Sequence, residues 1–127
     1  MYGHRIALLG VYGVNDDSPV GIKDQFFEQL NEEIEQIGTT REVLIMGGLN
    51  GRTGSRRGCK VVGPHGEEVV NDSGIRIINS CDQNDLKILN GFYQRRDVYK
   101  YTWVQPTRGL RSIIDYVIVR QKFKMKV

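Results

Sequence analysis

Three segments of this chain are apolar almost from end to end: Arg5–Tyr12, Glu42–Met46 and Ile113–Val119. Strand-length runs without a polar face belong in the middle of a sheet that is covered on both sides. Such a chain has to supply the cover. Two amphipathic helical patterns offer it. From about Ile22, the residues Ile22, Phe26, Phe27, Leu30, Ile34 and Ile37 recur at helical spacing, and Gly38 follows where a C-terminal cap belongs. A second helix opens at Asn71-Asp72-Ser73 and turns Ile75, Ile78 and Cys81 inward. Leu86–Leu89 and Tyr101–Val104 read as further strands. Elements that first alternate and then become mostly strands predict an α/β fold, a mixed β-sheet covered by helices. Two helices do not cover both faces of that sheet. The pattern therefore predicts a bare apolar face, left open in a small two-layer domain or covered by a missing half, another copy or a partner.

With 127 residues the chain has the length of one domain, 1–127. Its 39% hydrophobic and 26% charged residues are those of a folded protein rather than a disordered one. The net charge of +3 permits a polyanionic partner such as DNA without requiring one. No apolar run approaches the roughly 20 residues that cross a bilayer, so no membrane partner is expected. Cys59 and Cys81 stand at no metal-ligand spacing. They read as reduced thiols of an intracellular protein, nuclear or cytoplasmic, with Cys81 a small core residue. The segment Asn15-Asp16-Asp17-Ser18-Pro19 is expected to cap the first helix.

Three segments carry chemistry. Gly47-Gly48-Leu49-Asn50 begins the Gly-rich loop 47–58 directly after a buried strand, placing a polar Asn where α/β ligand sites gather. The second is Tyr101-Thr102-Trp103, with Pro106 after it. Ser112-Ile113-Ile114-Asp115-Tyr116 puts a carboxylate in an apolar run, where it must be hydrogen-bonded or paired. The bland alternative is an Asp that holds a neighbouring loop. Arg52, Arg56, Arg57 and Lys60 crowd the loop after Asn50, and Arg95, Arg96 and Lys100 crowd the one before Tyr101. Basic loops beside aromatic residues suit a phosphate backbone, although solvated surface charge looks the same in sequence. The Gly-rich loop lacks the Lys-Ser/Thr ending of a P-loop. Arg120, Lys122, Lys124 and Lys126 alternate with Gln121, Phe123, Met125 and Val127, the pattern of a charged edge strand.

In this order and spacing, the segments resemble the endonuclease/exonuclease/phosphatase superfamily, and within it the endonuclease domain of RTE-type non-LTR retrotransposons. The likeness also takes in Val11-Tyr12, His65-Gly66, Asn71-Asp72, Gly74, Asn84, Leu86, Asn90 and Phe92. It implies the C-terminal half of a four-layer α/β sandwich and a Mg²⁺-dependent hydrolysis of DNA phosphodiesters. In that family a carboxylate after the second strand prepares the attacking water, and an Asn two positions later steadies the phosphate. A Glu from the N-terminal half binds the metal. A C-terminal His contacts the phosphate and is oriented by the Asp of the Ile-Asp-Tyr segment, and a Tyr lines the site.

Carried over by position, Asn50 matches the Asn, Tyr12 the Tyr and Asp115 the orienting Asp. The carboxylate's position holds Gly48. The metal-binding Glu would fall before residue 1 and the His after residue 127; His4 and His65 do not take its place. The resemblance therefore implies a degenerate or truncated phosphodiesterase, inactive alone and without tight Mg²⁺ binding. The alternatives are a nucleic-acid-binding module using Arg52, Arg56, Arg57, Arg95 and Arg96, or an assembly unit that pairs through its bare face.

Overall fold

In the computed structural model, which describes residues 6–93, 102–105 and 110–123, the expected α/β architecture is present. Strand β1 (Ile6–Tyr12) leads through helix α1 (Val20–Ile37) to a parallel strand β2 (Glu42–Gly48). Helix α2 (Asp72–Gln83), strand β3 (Leu86–Ile88) and a 3₁₀ turn (Leu89–Phe92) follow. Strands β4 (Trp103–Gln105) and β5 (Leu110–Ser112) form a separate antiparallel pair, and β6 (Asp115–Arg120) returns to the main sheet. That sheet has the order β1-β2-β6-β3, with β6 antiparallel to both neighbours.

One face of the sheet carries the core. Val43, Ile45, Leu86, Ile88, Tyr116 and Ile118 pack with Phe27, Leu30 and Ile34 of α1 and Ile77 and Cys81 of α2. A fully buried Leu or Ile stabilises by about 1.5–3 kcal/mol, so this layer holds the fold together. Burial pushes the Cys81 thiol up to about 12, as befits the small core residue expected there. Both cysteines are free thiols.

The opposite face is open. Ile6 is 62% exposed, Leu8 73%, Met46 50% and Tyr12 83%. The apolar run of β1 is thus not buried on both sides: it is an edge strand whose alternate residues face outward. The uncovered face that the sequence predicts is present. No helix among the described residues is long and apolar enough to cross a membrane.

Several local expectations differ. α1 starts at Val20, and Ile22 is 47% exposed; the buried positions are Lys23, Phe27, Leu30 and Ile34. In α2 it is Ile77 that reaches the core, with Ile78 packed at its margin, while Ile75 faces outward at 48% exposure. No side chain from Asn15–Ser18 caps α1. Asp16 instead accepts from the Ser73 backbone N–H (2.9 Å) and from Lys23 (3.3 Å), spanning both helices. Asn71 caps α2, accepting from the Gly74 and Arg52 N–H groups at 2.8 and 2.9 Å. Arg120 ends an internal strand rather than lying on a charged edge, and its guanidinium bonds the carbonyls of Gly38 and Arg41. Lys124 and Lys126 lie outside the described residues.

Candidate functional site

The register of the sheet sets three of the candidate residues side by side. Tyr12 is the cross-strand partner of Gly48, and Gly48 is the partner of Asp115. Residues directly opposite one another share a face, so the row Tyr12–Gly48–Asp115 crosses β1, β2 and β6 on the open side. A Cβ placed on Gly48 would lie 2.9 Å from Asp115 Oδ1. The carboxylate of Asp115 thus leans over the one position of the row that has no side chain.

Asp115 is exposed, contrary to the buried position its apolar neighbours suggest. It opens its strand on the uncovered face, where water supplies the hydrogen bonds that burial would have demanded. Its backbone is firmly held. Thr102 Oγ1 accepts from the N–H groups of Ile114 (3.0 Å) and Asp115 (3.2 Å). The Asn90 side chain donates to the Asp115 carbonyl (3.2 Å) and accepts from Val117 N–H (2.8 Å). Asn90 thereby continues the hydrogen-bonding edge of β6 beyond the end of β3. These two supports were within quoted motifs, but their task is visible only once β6 is placed.

Asn50 lies two residues past the row. Its Nδ2 donates to the Gly13 carbonyl at 2.9 Å, and its φ of 53° is in the left-handed region that Asn tolerates better than most residues. Gly13 N–H donates to Gly48 O (2.7 Å), and Leu49 N–H donates to Ile114 O (2.8 Å). The ends of β1 and β2 and the approach to β6 are therefore stitched together around Asn50.

Chemically, the row offers a phenol, a carboxylate and, just beyond it, a carboxamide. It has no second carboxylate opposite Asp115. Mg²⁺ demands near-octahedral geometry, keeps several waters and is held through one or two carboxylates together with substrate phosphates. No group of three or more His, Cys, Asp or Glu side chains that could hold a metal occurs among the described residues. Within the row a metal ion would meet one carboxylate, that of Asp115.

The basic residues divide. Arg52 makes a two-pronged ion pair with the buried Glu67, Nε to Oε1 at 2.6 Å and Nη2 to Oε2 at 2.9 Å, so its guanidinium is engaged inside the protein. Arg56, Arg57 and Lys60 are exposed. Arg95 and Arg96 lie outside the described residues, as does His4. His65 is half-buried and belongs to the loop beneath the sheet end; its backbone N–H donates to Gly91 O at 2.9 Å.

In sequence, the chain is similar to craniofacial development protein 2 of Bos taurus, 30% identical over 123 residues, and to the protein of that name from Tragulus javanicus, 32% identical over 123 residues. Each comparison covers 97% of this chain but 21% of the relative. The chain thus spans about a fifth of the length of the curated relatives it matches. A likeness to proteins of this name is also what the sequence motifs suggest. The name states no reaction. No protein-family model matches the chain, and no solved structure matches it.

Proposed function

We propose that this chain is the C-terminal part of a phosphodiesterase domain of the endonuclease/exonuclease/phosphatase kind, of retrotransposon origin, with one catalytic position vacated. The observation that carries this reading is the row itself. Residues 12, 48 and 115 are far apart in sequence, were matched to three site positions of that family, and stand next to one another in register. Asn50 follows at the offset the family requires. The open apolar face supports a further element of the proposal: the other half of a four-layer sandwich covers Ile6, Leu8 and Met46, and supplies groups that these 127 residues lack.

On this reading the chain alone does not cut DNA. The water-activating carboxylate is replaced by Gly48, and loss of a general base costs about 10²–10⁴ in rate. Asn50 and Tyr12 are left to position a phosphate, with Asp115 beside them. The test is nicking of a supercoiled plasmid in Mg²⁺, with and without an abasic site, by the chain and its Gly48→Asp and Asn50→Ala variants. The wild type is expected to leave the plasmid intact. Nicking by the wild type that disappears in Asn50→Ala sinks the claim of inactivity.

A second reading is favoured by the same open face and the exposed Arg56, Arg57 and Lys60: a module that binds nucleic acid without cutting it, or assembles through its sheet. Steep salt dependence of DNA binding would mark the former. A concentration-dependent dimer indifferent to DNA would mark the latter.

A further inference from the structure

Asn50 is held by more than its own bond to Gly13. The residues after it, Gly51 and Arg52, run against the first turn of α2. A Cβ on Gly51 would lie 2.6 Å from Ile77 Cδ1 and 2.8 Å from the Gly74 nitrogen, and one on Gly74 would lie 1.8 Å from the Arg52 carbonyl oxygen. Backbone meets backbone there because both positions are glycine. The first N–H groups of a helix have no intrahelical partners, so this turn needs a cap in any case. Asn71 supplies it and reaches further.

Its Oδ1 accepts from Gly74 N–H at 2.8 Å, the ordinary task of a cap, and from Arg52 N–H at 2.9 Å, which belongs to the loop. Its backbone N–H donates to the Arg52 carbonyl at 3.1 Å. One residue thus bonds both backbone groups of Arg52. On the sheet side, the Tyr116 hydroxyl lies 2.7 Å from the Gly51 carbonyl. Before Asn50, Leu49 N–H donates to the Ile114 carbonyl at 2.8 Å. The chain on either side of Asn50 is therefore fixed, by β6 ahead of it and by α2 and β6 after it. The carboxamide nitrogen of Asn50 carries two hydrogens. The Gly13 carbonyl takes one, which sets the direction of the other. That direction is only as well defined as the backbone that carries it.

We propose, on the reading of Asn50 as the phosphate-steadying group of the site, that Asn71 is its positioning residue. By gripping Arg52 from the helix end, Asn71 holds the Asn50 carboxamide at the angle at which its second N–H meets a phosphate oxygen. Capping alone does not require Asn here, because Asn, Asp and Ser are nearly equivalent caps. The double acceptance does. An Asp keeps an oxygen at the same reach. A Ser oxygen sits one bond nearer the backbone, so it serves Gly74 and gives up Arg52.

The test compares the ¹⁵N-labelled wild type with Asn71→Asp and Asn71→Ser, without DNA or metal. Exchange of the Asn50 side-chain amide hydrogens with water is read by saturation transfer, and the Gly74 and Ile75 amides report on α2. Asn71→Asp is expected to match the wild type. Asn71→Ser is expected to speed the Asn50 exchange by about two- to tenfold, the ratio one hydrogen bond is worth, with the α2 amides unchanged. The proposal is overturned if Asn71→Ser leaves Asn50 at the wild-type rate or if Asn71→Asp speeds it equally. It is also overturned if the α2 amides loosen in step with Asn50, since Asn71 then acts as a helix cap alone. The plasmid assay fails separately: wild-type nicking would sink the claim of inactivity and leave the coupling of Asn71 to Asn50 standing.

Discussion

At the residue scale, Asn50 and Gly48 carry most of the argument, and they were legible for different reasons. Asn50 follows a buried strand inside a short motif, a signal that needs no tertiary information. Its left-handed backbone and its bond to Gly13 are products of the fold. An L residue other than Gly or Asn in that conformation costs about 1–2 kcal/mol. Asn50→Ala should therefore lose both the side-chain bond and the backbone tolerance, and Asn50→Gly only the bond. Urea unfolding is expected to rank the glycine variant above the alanine variant by about 1 kcal/mol. Equal stabilities would show that the backbone conformation plays no part. Asp115 was legible as a special carboxylate but not as an exposed one, because the sequence does not say which face of β6 is left open.

At the scale of elements, the two helices were legible from apolar spacing, yet their attachment to each other was not. Lys23, 4% exposed, donates to Asp72 at 2.9 Å and Asp16 at 3.3 Å. Asp72 also accepts from Arg76 at 3.0 Å, and Arg76 reaches Asp24 of α1. In sequence these are ordinary surface charges; only the packing of α2 beside the first turns of α1 makes them a network. The hydrogen bond from Lys23, followed by that from Arg76, holds the Asp72 carboxyl below the ordinary 3.8. For Asp16, burial alone would raise the value, but the Ser73 N–H and Lys23 outweigh it and the net shift is downward. Carboxyls lowered in the folded state stabilise above their unfolded value, and that contribution is lost as pH falls through the folded value. Lys23 is raised above 10.5, chiefly by the bond to Asp72, so its contribution holds below 10.5 and fades as pH climbs through its raised value. The melting temperature should be level at neutral pH and fall below pH 3.8. Lys23→Gln should lower the neutral plateau and flatten the acid limb. Parallel acid limbs for the two proteins would show that the network does not couple the helices.

At the scale of the whole molecule, the sheet was legible as α/β and as insufficiently covered, since its strands are more apolar than two helices can use. Which strand forms the edge was not legible: β1 reads like an interior strand, and only the order β1-β2-β6-β3 places it outside. The same order builds the candidate site, because it brings residues 12, 48 and 115 into one row. The central proposal is that this row is part of a hydrolase site, lacking the carboxylate at position 48 as well as the groups assigned to the other half. Its most direct test is a Mn²⁺ titration of the ¹⁵N-labelled wild type and Gly48→Asp, reading paramagnetic broadening of amides near the row. The new side chain would enter within 2.9 Å of Asp115 Oδ1, on a surface where that exposed carboxylate can swing aside. Like charges directly opposite destabilise a strand pair by about 0.2–1 kcal/mol, which a bound cation relieves. The account predicts saturable broadening around Tyr12, residue 48 and Asp115 in Gly48→Asp and none in the wild type. Equal broadening in both proteins, or none in a folded Gly48→Asp, would contradict it.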